Sequence, residues 1–277
     1  MLVHGTLTLA GTPIGNSKDA SLRLREALET FPIIAAEDTR TLKQLLHRLG
    51  INTEARLISY HEHNERNRSA ELIELLQNGQ DILVVSDAGM PTVSDPGFSV
   101  VNAAIEANCP VSVIPGPSAV LAALAVSGLP TNKFTFEGFI PKKNNERKNF
   151  LTELKAEKRT MVFFEAPHRI IKTVKAITEI FGYNRQLVLA RELTKRFEEI
   201  IRGTTLEVLE SITVKPPKGE IVLVLAGHTP KPASIADGLT EVKQLVSTGI
   251  RLKDACKQIA KETGLSSKQL YDAMVNR

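Results

Sequence analysis

Residues 81–97 read DILVVSDAGMPTVSDPG. The first five residues form a short, apolar, β-branched run that is typical of a buried strand. Asp95 is placed to cap a following helix, and Pro96 would occupy its first position, where the missing N–H costs nothing. The loop between them is rich in glycine and proline and carries Asp87. Such a loop, at the carboxyl end of a strand in a parallel sheet, suits a small ligand, although an ordinary βα turn has the same composition.

The composition is that of a folded chain with a sizeable core. Among 277 residues, 42% are hydrophobic and 24% are charged, which is enough for one or two globular domains. A net charge of +4 permits an anionic partner without demanding one. Cys109 and Cys256 are far apart and the histidines are scattered, so neither a disulfide nor a metal site is predicted. No signal pattern or membrane-length apolar run is present, which predicts a cytoplasmic protein.

Strands and helices alternate through the first half of the chain. Apolar runs near residues 7–10, 33–36, 56–60 and 111–114 predict four strands beside the one at 81–85. Helical patterns lie between them, which predicts a parallel sheet. Because parallel strands all point the same way, the loops after these strands should lie at one edge of the sheet.

Charged side chains follow two of these strands. Glu37, Asp38 and Arg40 come after the second strand, where they can serve an active site or only complement the N-terminus of the next helix. Residues 61–68, HEHNERNR, follow the third strand. They suit contact with a polar or anionic substrate, or form a solvated loop. The sequence leaves both alternatives open.

Residues 115–119, PGPSA, follow the fifth strand. The prolines stiffen this loop, and Gly116 lets the backbone approach another element closely. Ser118 can cap a helix of small residues over 119–126. Since small residues permit close packing, residues 115–131 are the predicted joint between two halves.

The second half is predicted to restart the alternation of strands and helices, with strands near 134–140, 161–164, 186–190 and 219–226. Residues 141–148, PKKNNERK, are a solvated helix entry or a phosphate-contacting segment. A linker is predicted at 229–232 and helices from about residue 237 onward. Residues 252–263 and 268–275 flank Gly264 and resemble a helix-turn-helix in outline, for which packing is favoured over contact with nucleic acid.

Seven short motifs occur in a recognisable order. They are TPIGN at 12–16, EDTR at 37–40, SDAG at 86–89, SDPG at 94–97, PGPSA at 115–119, FEAPHR at 164–169 and RELTK at 191–195. From about residue 5 to residue 227 the chain resembles the tetrapyrrole methylase superfamily, in the branch that methylates RNA of the small ribosomal subunit. The first loop lacks the Gly-rich, Asp-terminated form of the tetrapyrrole-modifying members, which favours the RNA branch. Met90 stands where the family more often has threonine.

The resemblance implies a homodimer of two-domain α/β subunits. The α/β domains are expected at 1–117 and 118–228, with a small helical C-terminal extension at 229–277. S-adenosylmethionine is expected in the cleft between the domains. The implied reaction is 2′-O-methylation of a cytidine ribose in the decoding region of 16S ribosomal RNA, within the small ribosomal subunit. A tetrapyrrole or protein methyltransferase of the same fold and a non-catalytic RNA-binding protein remain alternatives.

A ribose hydroxyl that keeps its proton is a poor nucleophile, so a base or an oxyanion stabiliser would help the reaction. Glu37, Asp38 and Lys195 are the predicted catalytic residues, and His63 and Glu198 are further candidates in the cleft. The family pattern implies cofactor contacts at Pro13, Asp87, Ala88, Gly89, Met90, Ser118, Ala119, Phe164 and Leu193. The basic loops predict RNA contacts at Arg40, His63, Arg66, Arg68, Lys142, Lys143, Arg147 and Lys148.

Overall fold

The computed structural model describes residues 4–228, 235–247 and 250–275. The internal contacts divide the chain into two units, Met1–Ala226 and Gly227–Arg277. In these described ranges, no helix combines the length and the apolar character that a membrane span needs. The boundary between the units lies near residue 227, and residue 117 lies inside the first unit.

The first sheet has five parallel strands in the order β3-β2-β4-β1-β5, as the alternation predicts. The strands are β1 (Leu7–Ala10), β2 (Ile33–Ala36), β3 (Arg56–Ser59), β4 (Ile82–Val85) and β5 (Val111–Ile114). The connecting helices are α1 (Leu22–Thr30), α2 (Thr39–Leu49), α3 (Glu65–Gln77) and α4 (Phe98–Glu106), with a short 3₁₀ turn at Ser17–Asp19.

Helices cover both faces of this sheet because successive side chains of a strand point to opposite sides. Ile34 of β2 packs with Leu24 and Leu42, which belong to α1 and α2. Its neighbour Ile33 packs on the other face with Leu72 and Val100, which belong to α3 and α4. All residues of β1, β2 and β4 are consequently buried, and the carboxyl ends of these strands meet at one edge.

The second sheet differs from the predicted alternation because it is mixed. Its order is β6-β7-β10-β8-β9, with β6 parallel to β7 and the other pairs antiparallel. The elements are α5 (Ala119–Ser127), β6 (Phe134–Phe139), α6 (Asn144–Glu153), a 3₁₀ turn (Leu154–Ala156), β7 (Thr160–Glu165), α7 (Ile170–Phe181), β8 (Gln186–Arg191), β9 (Glu199–Thr204), α8 (Thr205–Val214) and β10 (Ile221–Leu225).

Strand β9 was missing from the sequence interpretation. It is an edge strand, and its polar residues and Gly203 lack the apolar run that marks a buried strand. The chain reverses before it through Glu192 and Thr194, which have positive φ angles of 51° and 65°. Non-glycine residues seldom adopt this conformation, so residue types alone do not indicate the reversal.

The two halves of the first unit meet through α5, as the small-residue pattern predicts. Val120 and Leu124 of α5 pack on the second sheet against Val162 and Val222, and Ile14 of the first half joins them. The loops after β1 and β5 approach closely here, since a Cβ atom on Gly116 would lie 2.5 Å from the carbonyl oxygen of Gly11. A glycine is therefore required at residue 116 for this approach.

In its described residues, 235–247 and 250–275, the second unit forms three helices around a core of its own. They are α9 (Ile235–Ser247), α10 (Leu252–Thr263) and α11 (Ser267–Val275), so the predicted helices at 252–263 and 268–275 are confirmed. Leu239 of α9, Ile259 of α10 and Leu270 of α11 are buried together. Gly264 ends α10 in the left-handed conformation with a φ angle of 75°. The predicted linker at 229–232 lies outside the described residues.

Candidate functional site

A cavity of about 340 Å³ opens where the two sheets adjoin. One wall is the loop after β4, and another is the start of α5. The opposite wall is made by the end of β7 and by residues 219–222 at the start of β10. The lining residues are Ile14, Ala88, Gly89, Met90, Val93, Ser94, Asp95, Ser118, Ala119, Val120, Phe139, Phe164, Glu165, Ala166, Pro167, Gly219, Glu220, Ile221 and Val222. Its volume suits a small organic ligand.

The cavity is fixed to the first sheet by a backbone clip between two loops. The Thr12 N–H donates to the Gly89 carbonyl at 2.9 Å, and the Gly89 N–H donates to the Thr12 carbonyl at 3.1 Å. Gly89 has a φ angle of 87°, which glycine adopts without strain. This clip holds the loop after β4 against the loop after β1, so the cavity wall is defined by backbone geometry.

The structure brings most of the predicted cofactor residues to this cavity. Those that line it are Ala88, Gly89, Met90, Ser118, Ala119 and Phe164. Pro13 and Asp87 line an adjoining opening of about 250 Å³, which also contains Lys195 and Glu220. Leu193 is buried in the apolar seam with Ile14 and lines neither space. Their contact with a cofactor stays a prediction.

Phe164 gives the cavity a rigid apolar face. Its ring meets Phe136 edge-on at 4.9 Å between centroids and Phe139 at 5.5 Å. Edge-to-face aromatic pairs restrict ring movement and add to the energy of burial. Phe139 remains 58% exposed and lines the mouth of the cavity.

Residues 164–167 are held from behind by a buried ion pair that the sequence interpretation missed. Glu165 is buried and accepts a hydrogen bond from the Arg169 guanidinium, from the Ala166 N–H at 2.7 Å and from the Thr173 hydroxyl at 2.5 Å. The four-residue spacing does not reveal the pair, because Glu165 ends β7 and Arg169 precedes α7, so the two residues do not lie on one helical turn. Removing one partner of such a pair leaves a buried charge, which typically costs about 3–5 kcal/mol.

Acidic side chains gather at the carboxyl edge of the first sheet. The Asp38 N–H donates to Asp87 Oδ1 at 3.2 Å, and the Asp87 N–H donates to Glu37 Oε2 at 3.4 Å. The predicted meeting of these strand ends is thus observed. Burial raises the pKa of Glu37, with Asp87 and Asp38 adding repulsion, while a hydrogen bond from the Asp87 backbone opposes the shift.

Asp38 has an observed capping role. Its carboxylate accepts a hydrogen bond from the Arg40 N–H at 2.8 Å at the start of α2, and it binds the exposed Arg40 guanidinium at 2.6 Å. These hydrogen bonds lower the pKa of Asp38 to about 2. Asp38 therefore caps α2, as the helix-capping alternative predicts, and a catalytic role for Asp38 stays a prediction.

Lys195 lies at the adjoining opening between two carboxylates. Its ammonium binds Glu192 and Glu220, each at 3.0 Å. Burial lowers the pKa of Lys195, but the hydrogen bonds with Glu220 and Glu192 outweigh burial, so its pKa is raised. Lys195 consequently remains protonated at neutral pH and can stabilise negative charge rather than accept a proton.

The loop that carries Lys195 ties the halves together. The Asn16 N–H donates to the Thr194 hydroxyl at 3.1 Å, and the Glu198 carboxylate accepts a hydrogen bond from the Thr194 N–H at 2.6 Å. Gly15 packs so closely that a Cβ atom would lie 2.4 Å from Cγ of Lys195. Glu198, a candidate from the sequence, thus stabilises this loop.

The predicted RNA contacts need one correction. Arg147 is only 5% exposed, and its guanidinium donates to the Lys142 carbonyl at 3.4 Å and to Asn144 at 3.2 Å. It anchors the basic segment from inside and does not belong to its exposed face, because the first turn of α6 turns residue 147 toward the core. Lys142 and Lys148 are exposed.

Several other predicted RNA contacts already have acidic partners. Lys143 binds Glu146 at 2.9 Å, the Arg68 guanidinium binds Glu71, and Arg40 binds Asp38. The remaining two, His63 and Arg66, are exposed. Exposed ion pairs are weak, so Lys143, Arg68 and Arg40 can exchange their acidic partners for a phosphate. Each must first break an existing ion pair to do so.

Asp95 does not cap a helix as predicted. Helix α4 begins at Phe98 behind Gly97, whose φ angle of 136° needs glycine, and Asp95 lies in the cavity wall. Burial raises the pKa of Asp95 to about 6, with repulsion from Glu37 and Asp87 adding to the shift and a hydrogen bond with Ser86 opposing it.

The N-terminus of α4 is capped from another helix. Glu65 of α3 accepts hydrogen bonds from the Gly97 N–H at 3.2 Å, the Ser99 N–H at 3.1 Å and the Tyr60 hydroxyl at 3.0 Å. Burial disfavours the Glu65 carboxylate, but these N–H groups outweigh burial and lower its pKa. Residues 61–68 and the loop after β4 are therefore joined by a single carboxylate.

Comparison with known proteins agrees with this geometry. The family model for Tetrapyrrole (Corrin/Porphyrin) Methylases matches residues 6–209. The chain belongs to this family. Proteins called "Ribosomal RNA small subunit methyltransferase I" are 45% identical over 270 residues in Synechocystis sp., with 96% of both chains covered, and 43% identical over 272 residues in Mycobacterium tuberculosis, with 98% of this chain and 95% of the relative covered.

Solved structures share the methylase fold at low sequence identity. The methyltransferase CobJ superimposes with a TM-score of 0.62 at 20% identity, covering 82% of this chain and 96% of that one. Uroporphyrin-III C-methyl transferase from Thermus thermophilus, complexed with S-adenyl homocysteine, gives a TM-score of 0.54 at 16% identity, covering 79% and 96%. The predicted α/β methylase fold is confirmed, with two sheets and a helical C-terminal end.

The raised pKa of Asp95 predicts a pH-dependent penalty on the stability of this methylase. Ionised Asp95 is disfavoured in the folded state, so the penalty is absent below the unfolded pKa of 3.8, grows as the pH rises, and is complete above about pH 6. We expect Asp95→Asn to increase the free energy of unfolding by on the order of 1–3 kcal/mol at pH 8 and by less at pH 5.

Urea unfolding of both proteins at the two pH values measures this difference. Ser112→Ala, on exposed strand β5, serves as a control that should show no pH-dependent change. An equal effect of Asp95→Asn at pH 5 and pH 8 would contradict the assignment.

Proposed function

We propose that this methylase transfers a methyl group from S-adenosylmethionine to the 2′-hydroxyl of a cytidine ribose in 16S ribosomal RNA. The observation that carries the proposal is the full-length similarity to proteins called ribosomal RNA small subunit methyltransferase I, at 45% identity over 96% of both chains. The decoding region as the site of methylation, the assembled small subunit as substrate and action in the cytoplasm belong to the same proposal.

The cavity fits S-adenosylmethionine in size and in chemistry. Its volume of about 340 Å³ is in the range for organic cofactors, and Met90, Val120 and Phe164 supply apolar walls. The cofactor when bound supplies an electrophilic methyl group on a positively charged sulfur. Asp95 and Glu220 in the lining supply negative charge that favours a cation.

The chain's own residues would position and activate the ribose. A methyl transfer needs the attacking oxygen aligned with the bond that breaks, and enclosure between two walls restricts that orientation. Among the predicted catalytic residues, Glu37 best suits a general base, because burial raises its pKa and so makes its carboxylate a stronger base. It would take the proton of the 2′-hydroxyl as the carbon–oxygen bond forms. Protonated Lys195 would stabilise negative charge developing nearby.

We further propose that two copies of the chain form a homodimer. The edge strand β5 exposes 49% of Val113, and the neighbouring helices expose 56% of Leu121 and 70% of Phe98. Large apolar side chains concentrated near an open sheet edge favour association with another protein surface. Light scattering after gel filtration should give a dimeric mass, and a monomeric mass at micromolar concentration would contradict the proposal.

The proposed function predicts the product of a labelling experiment. With labelled S-adenosylmethionine and small ribosomal subunits that lack the modification, the protein should yield 2′-O-methylcytidine in 16S RNA, identified by nuclease digestion and mass spectrometry. Protein-free 16S RNA in parallel tests whether the assembled subunit is needed. Label on a base, on a ribosomal protein or on a tetrapyrrole, or no transfer at all, would refute the proposed reaction.

A pair of matched variants of α5 links this activity to the cavity. Ala119→Leu places a larger side chain in the cavity lining, so affinity for the cofactor should fall at least about tenfold. Ala125→Leu makes the same change at an exposed position of the helix and should bind normally. Calorimetric titration measures both, and equal affinities would place the cofactor elsewhere.

A second pair of variants separates catalysis from helix capping. Glu37→Gln keeps the size of the side chain but cannot accept a proton, so single-turnover methylation should slow by about 10²-fold or more with cofactor affinity unchanged. Asp38→Asn keeps a side-chain oxygen for the cap of α2 and should methylate at nearly the wild-type rate.

Thermal melting shows whether both proteins are folded. Wild-type turnover in Glu37→Gln would remove Glu37 from catalysis. Slow turnover in folded Asp38→Asn would instead support the catalytic prediction for Asp38.

A further inference from the structure

The second unit carries most of the chain's net positive charge. Residues 227–277 contain eight lysines and arginines against five acidic residues, a net charge of +3 out of +4 for the whole chain. The 226 residues that contain both sheets and the cavity are therefore nearly neutral. The net positive charge therefore belongs to the helical unit, where a partner of negative charge would be favoured.

Three lysines lie on one face of α10. Lys253, Lys257 and Lys261 are four residues apart and exposed, so they form a stripe whose members are about 6 Å apart along the helix axis. The opposite face is fixed, since Ala255, Cys256 and Ile259 are buried in the core of the unit. The stripe thus projects from a rigid helix.

The lysines of this stripe are free of acidic partners in the part of the chain that the structure describes. The ion pairs found there include none with Lys253, Lys257 or Lys261. Lys142 and Lys148 of the first unit are also exposed, but the paired Lys143 and the buried Arg147 lie between them, so that segment presents no continuous row of unpaired cations like the stripe. Unpaired cations on an ordered helix need not break an existing ion pair to bind a phosphate.

We propose that the α10 stripe binds the phosphate backbone of ribosomal RNA and anchors the substrate while the first unit carries out methyl transfer. This inference rests on the proposed function for the choice of RNA. Lysine binds phosphates as a point charge, and a row of ammonium groups follows a strand of phosphates without reading its bases. The unit therefore supplies affinity, and selection of the cytidine belongs to the first unit.

The test compares two variants with the same change in charge. Lys253→Gln, Lys257→Gln and Lys261→Gln together remove the stripe. The control replaces Lys155, Lys158 and Lys175, three exposed lysines of the first unit, by glutamine. Affinity for protein-free 16S RNA and for small subunits is measured between 50 and 200 mM KCl. Calorimetric titration of the cofactor and thermal melting accompany each protein.

We expect the stripe variant to bind RNA about tenfold more weakly at 100 mM salt, with a salt dependence shallower by about two units, because each phosphate contact releases counterions. The control should retain the wild-type slope, and both variants should bind the cofactor normally. Replacing the same three lysines by arginine should restore affinity and slope. If the glutamine variant fails to fold, Lys257→Gln alone should lower the slope by less than one unit.

Two results would overturn the inference. The first is a wild-type salt slope in the folded stripe variant. The second is weakened binding to assembled subunits with unchanged binding to free 16S RNA, which would make a ribosomal protein the partner. The wild-type labelling experiment separates this inference from the proposed function: a wild type that methylates nothing while its RNA affinity depends on the stripe refutes the reaction alone.

Discussion

The packing of α5 on the second sheet is the contact on which the rest of the first unit depends. It buries Val120, Ala123 and Leu124 against the apolar face of β7, β8 and β10, and Ile14 fills the same seam from the loop after β1. Because α5 follows directly from β5, the packing of this one helix holds the carboxyl edge of the first sheet against the second sheet. The cavity exists only where that edge and the end of β7 are held face to face.

The same arrangement determines where charged side chains gather around the cavity. The loops after β2 and β4 bring Glu37, Asp87 and Asp95 together, so burial raises the pKa of each and repulsion from neighbouring carboxylates adds to the shift. Such repulsion costs stability that a bound cation would restore. Across the seam, Lys195 balances Glu192 and Glu220, so the two halves differ in electrostatic character.

The sequence predicted what depends on local pattern and failed where the environment decides. Buried parallel strands such as β2 and β4 are recognisable as apolar runs. The small residues of α5 predicted the contact between the two halves. The edge strand β9 has no such run. Arg147 reads as part of a basic face, yet the rotation of α6 buries it, and Asp95 reads as a cap, yet Gly97 delays the start of α4. The support of the cavity by Glu165 depends on burial, which residue types do not reveal.

The capping of α4 by Glu65 has a consequence for how this protein can change. A helix normally carries its own capping side chain, so it can be lengthened, shortened or replaced as a module. Helix α4 borrows its cap from α3, and the same carboxylate also holds Tyr60 at the end of β3. An insertion between residues 60 and 65 would therefore uncap a helix more than thirty residues further along the chain. Residues 60–65 and the start of α4 therefore have to change together, in evolution or in design, although a long stretch of sequence separates them.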